Sequence, residues 1–166
     1  MKFGLISDTH SHFDERIPHY FKDCDEIWHA GDIGEGNIIE TLSKIAPVVA
    51  VYGNIDTIEF QEKYPENAIF SREGKKILIT HIAGKPPRYN PRVKKLIQEI
   101  KPDIFICGHS HILRVIPDKP NNCLYINPGA AGRQGFHQVK TLIRFDLEKE
   151  GIKNMEVIEM GKRGAL

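Results

Sequence analysis

The chain has 166 residues, enough for one domain with a real core and too few for two ordinary ones. A composition of 40% hydrophobic and 27% charged residues is that of a globular chain, which excludes a disordered one. Lys plus Arg number 23 and Asp plus Glu 22, so a net charge of +1 excludes a general pull toward nucleic acid or anionic membrane.

Met1 to Asp8 carries an apolar stretch too short for a signal h-region, and no secretory leader is expected. Phe3 to Ile6 reads as a buried strand. Phe13, Ile17, Tyr20 and Phe21 follow at helical spacing, with Pro18 confining the helix to a short or late start. Ile27 to Ala30 is a second strand. Asn37 then offers an N-cap with Glu40 at the capping-box position, and Ile38, Leu42 and Ile45 form one face. Val48 to Tyr52 is a third strand, so the opening reads βαβαβ, with a parallel sheet and right-handed crossovers.

Ile69 to Ser71 and Lys76 to Thr80 form a hairpin across Glu73-Gly74. Asn90 caps a helix with Pro91 in its first position and Val93, Leu96, Ile97 and Ile100 inward, ended by Pro102. Ile104 to Cys107 is a further buried strand. Beyond it the chain turns all-β, with strands at Leu113 to Ile116, Leu124 to Ile126, Leu142 to Leu147 and Ile152 to Ile158. Fraying is expected from about Gly161. These elements suggest two packed sheets with helices on the outer faces, the first sheet mostly parallel and the second mixed or antiparallel. No apolar run approaches the ~20 residues of a spanning helix. Cys24, Cys107 and Cys123 have no paired spacing, which suits a reducing, cytoplasmic setting.

Strand after strand runs into a metal-binding residue type. Leu5-Ile6-Ser7 leads to Asp8-Thr9-His10, and Ile27 to Gly31 leads to Asp32. Val49 to Gly53 leads to Asn54, Leu78 to Thr80 leads to His81, and Phe105 to Gly108 leads to His109-Ser110-His111. The carboxyl ends of strands in an open α/β sheet are where sites form, so these residues converge at one edge. Gly31, Gly53 and Gly108 each precede one of them and permit a sharp turn. Taken singly, each motif reads equally well as a cap or a solvated turn. Together, carboxylates, imidazoles and one amide oxygen suit a borderline or hard divalent metal, with Asp32 the natural bridge. No cysteine occupies one of these turn positions, which argues against a thiolate zinc site.

The ordered set Asp-x-His, Gly-Asp, Gly-Asn, His, Gly-His-x-His resembles that of the calcineurin-like metallophosphoesterases. Gly53-Asn54-Ile55-Asp56 and Asn127-Pro128-Gly129 resemble the small YfcE-like phosphodiesterase branch, and the likeness runs from about Lys2 to Phe145. It implies a four-layer α-β-β-α sandwich of two packed mixed sheets flanked by helices, as a single domain over residues 1–166. It implies two divalent metal ions, manganese first, with nickel, zinc, iron or cobalt as alternatives. Asp8, His10, Asp32 and His111 would hold one ion, and Asp32, Asn54, His81 and His109 the other. Asp8, Asp32, Asn54, His81 and His109 are the expected catalytic set. Many relatives carry a His directly after the Asn, to protonate the leaving group. Ile55 stands there in this chain and cannot transfer a proton, which leaves the general acid open.

The implied function is hydrolysis of a small phosphodiester or phosphate ester by a water that the ions activate. A phosphomonoesterase is one alternative. A non-catalytic scaffold of the retromer-subunit type is another, set aside because all seven ligand positions hold competent residues. A homodimer is left open; no dedicated nucleic-acid-binding module and no membrane partner are expected. Asp56 is expected to orient a ligand imidazole, and His29 to be a satisfied core residue or to support a ligand. His12 and His19 read as exposed. The loop Gly129 to His137 could lie over the site, with Arg133 reaching a phosphate, or equally be a turn with an exposed Arg. The basic stretch Lys85 to Arg92 could line a substrate mouth but reads better as a solvated loop.

Overall fold

The computed structural model describes residues 1–164. β1 (Lys2–Ile6) is followed by the short α1 (Ile17–Phe21), with its proline in the first turn. β2 (Glu26–His29), α2 (Ile38–Ser43) and β3 (Val48–Ala50) complete the βαβαβ unit, with β1, β2 and β3 parallel. Asn37 starts α2 but does not cap it with its side chain: at φ −91°, ψ 37° it lies outside the extended region a capping residue adopts. β3 ends at Ala50, short of Tyr52, because the Tyr52 N–H turns away to donate to the Pro65 carbonyl. α3 (Ile58–Lys63) was not anticipated. It buries no residue, so it writes no apolar stripe into the sequence.

β4 (Asn67–Arg72) and β5 (Lys75–Thr80) form the expected hairpin, with Glu73 and Gly74 at positive φ in its turn. β6 (Gly84–Lys85) and β7 (Arg88–Tyr89) are a small second hairpin. α4 (Pro91–Ile100) is capped by the Asn90 side chain, which accepts from Val93 N at 2.8 Å, and buries Val93 and Ile97. β8 (Ile104–Ile106), β9 (Arg114–Asp118), β10 (Cys123–Asn127), β11 (Val139–Glu148) and β12 (Gly151–Lys162) follow. β12 stays paired through Lys162, opposite Val139, where fraying is expected; residues 165 and 166 of that segment lie outside the described residues.

Two five-stranded sheets result, ordered β12-β11-β1-β2-β3 and β4-β5-β8-β10-β9. The first is mixed where a mostly parallel sheet is expected, since β11 joins β1 and β12 joins β11, each in antiparallel sense; both sheets are mixed. Alternation along the strands explains the layering. Phe3, Leu5, Trp28, Ile77, Ile79, Ile104, Ile106 and Phe145 pack between the sheets. Ile6, Ile27 and Leu142 face the other way, against Ile17 and Phe21 of α1 and Leu42 of α2. Leu78, Phe105 and Tyr125 face α4. The architecture is therefore the four-layer α-β-β-α sandwich. Gly4 is needed where α1 meets the sheet, because a Cβ there would stand 2.8 Å from the Phe21 ring. The three cysteines are free and buried. Among the described residues no helix is long and apolar enough to cross a membrane.

One buried ion pair ties the loop before α1 to β11. Asp14 accepts from Arg16 Nε at 2.9 Å and Nη2 at 2.7 Å, and from Lys140 Nζ at 2.9 Å, while the Lys140 side chain is 2% exposed. The Arg16 hydrogen bonds hold the Asp14 carboxyl well below the usual carboxylate range against burial, which acts upward; Lys140 adds to the lowering. Asp14→Ala would leave a buried ammonium uncompensated, with an expected loss of about 3–5 kcal/mol by chemical denaturation at pH 7. Lys140→Met should cost much less, because Asp14 keeps Arg16; equal losses would contradict this account. Because the folded pKa is depressed, the pair's contribution should be fully present above the unfolded value of about 3.9 and decline as pH falls below it.

Candidate metal centre

The parallel strands of both sheets present their carboxyl ends to one edge, and the loops there are stitched together by backbone. Asp8 N donates to the Gly31 carbonyl, His10 N to the Asp32 carbonyl, and Gly108 N to the His81 carbonyl, each at 3.0 Å. Asp8, His10, Asp32 and His111 form one group of converging ligand atoms, and Asp32, His81 and His109 a second; within each group these atoms lie within 4.8 Å of one another. Asp32 belongs to both. Asn54 stands at the solvent side, where it and His81 line a cavity of about 160 Å³. Gly53, just before it, must be glycine for space: a Cβ would come 2.1 Å from Asp32 Oδ1.

Asp8, His10, Asp32, His109 and His111 all have positive φ, between 46° and 65°. Left-handed backbone at non-glycine residues is uncommon and clusters where function demands a set side-chain direction. The side chains then crowd. His111 Nε2 lies 3.1 Å from Asp8 Oδ1 and 3.3 Å from His10 Nε2. His81 Nε2 lies 3.1 Å from Asp32 Oδ1, and His10 Nε2 3.5 Å from Asp32 Oδ2.

Several observations test whether these residues fit divalent cations. His81 Nε2 is buried and, although close to Asp32, makes no hydrogen bond of acceptable geometry. Its other nitrogen, Nδ1, is 2.8 Å from the Ala30 carbonyl, which fixes the ring and turns Nε2 inward. Two carboxylates, Asp8 at 0% and Asp32 at 2% exposure, have imidazoles as their only ion-pair partners among the described residues. A nitrogen and oxygen donor set without thiolates, with the buried His81 Nε2 left unpaired among them, fits divalent cations of the borderline or hard class.

The protonation equilibria reflect the same crowding. Burial pushes the Asp32 carboxyl up, but His81 and the Ile55 N–H outweigh it and leave its pKa below the ordinary value. Burial pushes His81 down, but Asp32, Asp8 and the Ala30 carbonyl raise it overall. His109 is lowered by burial and by His81.

Surrounding residues hold the ligands. Ser7 Oγ donates to Asp8 Oδ2 at 2.6 Å. His29 is fully buried, with burial holding its pKa down at about 3. Gly31 N donates to His29 Nδ1, so the ring proton sits on Nε2 and is given to Thr9 Oγ1 at 3.0 Å, between Asp8 and His10. Asp56 does not orient an imidazole as expected. Its carboxylate is taken by three backbone donors, Ile33 N, Gly34 N and Gly53 N, at 3.2, 2.7 and 2.7 Å. It thereby ties the Asp32 loop to the Asn54 loop.

Asn127 braces the His109-Ser110-His111 turn by donating to the Gly108 carbonyl at 2.8 Å and Ser110 Oγ at 3.1 Å. The Asn-Pro-Gly signature marks a turn there, but not this role. The loop Gly129 to His137 does lie against the site: Gly132 N donates to the Asp8 carbonyl at 2.9 Å, and the His137 ring stands edge-on to His111 at 5.2 Å. His19 is exposed as expected; His12 is instead partly buried, its Nε2 shielded and unpaired.

A sandwich of this kind with two acid–imidazole groups at one edge defines the class of the metallophosphoesterases. Comparison with known proteins agrees: the calcineurin-like phosphoesterase superfamily domain matches residues 1–150. A probable metallophosphoesterase of Methanothermobacter thermautotrophicus is 31% identical, over 78% of this chain and 77% of that protein. A second, from Methanocaldococcus jannaschii, is 32% identical over 78% and 68%. The chain belongs to the calcineurin-like phosphoesterase superfamily. Among solved structures, an archaeal phosphodiesterase superposes with a TM-score of 0.76 at 24% identity, covering 96% of this chain and 100% of that one. A Vps29 single mutant from Entamoeba histolytica gives 0.72 at 19%, covering 97% and 100%. At these identities the two structures speak to the fold.

The Asp56 brace predicts a specific phenotype. Asp56→Ala leaves buried N–H groups unpaired and should cost about 1–3 kcal/mol in thermal or chemical unfolding. Because it frees the loops of Asp32 and Asn54, it should also weaken metal retention by about 10–100-fold in equilibrium dialysis. Wild-type metal affinity in this variant would show that the brace is merely structural.

Proposed function

We propose that this protein is a metal-dependent phosphodiesterase with a dinuclear centre, in which Asp8, His10, Asp32 and His111 hold one cation and Asp32, Asn54, His81 and His109 the other. One observation carries the reading: Asp32 directs Oδ1 toward His81 and Oδ2 toward His10, one oxygen to each group. A carboxylate so placed can serve two cations at once. The donor set suits manganese, and also nickel, zinc, iron or cobalt.

When bound, the cations would supply positive charge to the phosphoryl oxygens and acidify water. The chain's own residues set the geometry. Asp32, anchored by the Ile55 N–H at 3.1 Å, fixes the spacing of the two groups. Asp8, held by Ser7 and by the His109 N–H, fixes the first. His81 and Asn54 open onto a cavity on one side and His109 onto another, so the phosphorus has access from solvent. Ile55 is 43% exposed at the rim and offers no proton.

The decisive assay adds manganese, nickel, zinc or magnesium to metal-stripped protein and compares bis(p-nitrophenyl) phosphate with p-nitrophenyl phosphate. The diester should be cleaved faster, and Asp32→Asn should lower that rate by more than about 100-fold, beyond the usual effect of losing a residue that only supports a ligand. A preference for the monoester would favour the phosphomonoesterase reading. No turnover with any metal would favour a non-catalytic protein.

Ile55 makes a second prediction. General acid catalysis is worth ~10²–10⁴-fold, and without it the rate should fall steeply as the leaving group's pKa rises. A graded series of aryl and alkyl diesters measures the slope. A flat dependence would show that another group delivers the proton, whereas Ile55→His should flatten a steep one.

A further inference from the structure

We propose that the cavity beside His109 is a subsite for a second anionic group on the substrate, so that the preferred diesters carry a phosphate monoester as well. This rests on the phosphodiesterase reading and narrows its substrate class.

The basic stretch after His81 is where the inference begins. Its cations do not share one fate. Arg92 is consumed by structure, donating to Asn67 Oδ1 at 2.7 Å, Thr80 Oγ1 at 3.0 Å and the Ile82 carbonyl at 3.2 Å. The Lys85 ammonium, on β6, has no hydrogen-bond or ion-pair partner among the described residues. The same holds for the guanidinium of Arg114, at the start of β9 opposite Asn127. The two are distant in sequence, yet both line a cavity of about 260 Å³ whose other walls include His109, Ser110, Ile112 and Tyr125. No carboxylate lines it.

Free cations are common on this chain's surface, but these two share the walls of one cavity that no acidic residue lines. Arg16, Arg72, Arg92, Lys140, Arg144 and Lys153 all have acidic partners. The cavity on the Asn54 side makes the contrast. Its cation, Arg92, is already bonded, and Glu66 shares its lining. The two flanks of the centre are therefore electrostatically unlike, and only the His109 flank offers unspent positive charge. Its volume falls just below the ~300 Å³ at which drug-sized pockets begin, so it suits one group of a larger substrate. Two cations on a small, partly apolar cavity match a phosphate, since charged donors bind its oxygens about twice as strongly as neutral ones. Because His109 is both a wall of the cavity and a member of the metal centre, an anion there lies next to the phosphorus under attack.

A matched substrate pair tests this: thymidine 5′-(p-nitrophenyl phosphate) with and without a 3′-phosphate. Wild type should favour the 3′-phosphorylated ester by on the order of tenfold or more in kcat/KM, a gap of about 1.4 kcal/mol. The double variant Lys85→Met, Arg114→Met should bring that ratio to about one, and Lys85→Arg, Arg114→Lys should largely keep it. A ratio near one in wild type, or one unaltered by the methionines, overturns the subsite while leaving the diesterase intact. In parallel, inorganic phosphate is titrated calorimetrically into metal-stripped protein, where the carboxylates of the centre repel it. Binding that the methionine variant weakens at least tenfold upholds the subsite; no binding, or equal binding, overturns it. If neither ester is hydrolysed, the phosphodiesterase reading fails and the phosphate titration still decides the subsite.

Discussion

Two buried carboxylates that have no Lys or Arg partner among the described residues govern this molecule. Asp8 and Asp32 sit at 0% and 2% exposure, and among the described residues their ion-pair partners are all imidazoles. An ionised carboxylate removed from water is costly unless a positive charge compensates it. Asp14, by contrast, is answered by Arg16 and Lys140 in the ordinary way. The same chain thus uses fixed cations where stability is at stake and omits them at the strand ends. That difference is what a site built to receive divalent cations requires.

The rest of the fold works to keep those side chains in place. Parallel strands from two sheets bring their carboxyl ends together, and left-handed backbone at Asp8, His10, Asp32, His109 and His111 aims the donors. Such conformations cost on the order of 1 kcal/mol or more each and persist only when surroundings enforce them. The enforcement is visible in Asp56, Asn127 and the backbone bonds between loops. Apolar burial between the sheets and under α1, α2 and α4 supplies the stability against which that strain is held.

The inner elements were legible in the sequence because their signals are strong. Continuous apolar runs such as Phe3 to Ile6 and Ile104 to Cys107 can only be buried strands, and Asn90-Pro91 before Val93, Leu96 and Ile97 is a full helix start. α3 left no trace because it buries no residue fully and packs on the core through Phe60 alone, which makes no apolar stripe. Sheet order was not legible, since nothing local tells β11 to join β1 in antiparallel sense. All seven candidate ligand positions could be named because each follows a strand end. Their supports were legible only in part. His29 reads from the sequence as a satisfied core residue or a support, and it is one, but its partner Thr9 is not apparent there; Asp56 spends its carboxylate on backbone N–H groups, which carry no residue identity, and not on an imidazole. The fate of Lys85 and Arg114 was hidden for the same reason, because their proximity is made by tertiary structure alone.

The proposed chemistry depends on Asp32 serving two cations. Anomalous diffraction from crystals of the manganese-loaded protein measures this directly. Two peaks ~3.5–4 Å apart, one within coordination distance of each Asp32 oxygen, are the predicted result. A single peak, or two peaks of which only one contacts Asp32, would contradict it.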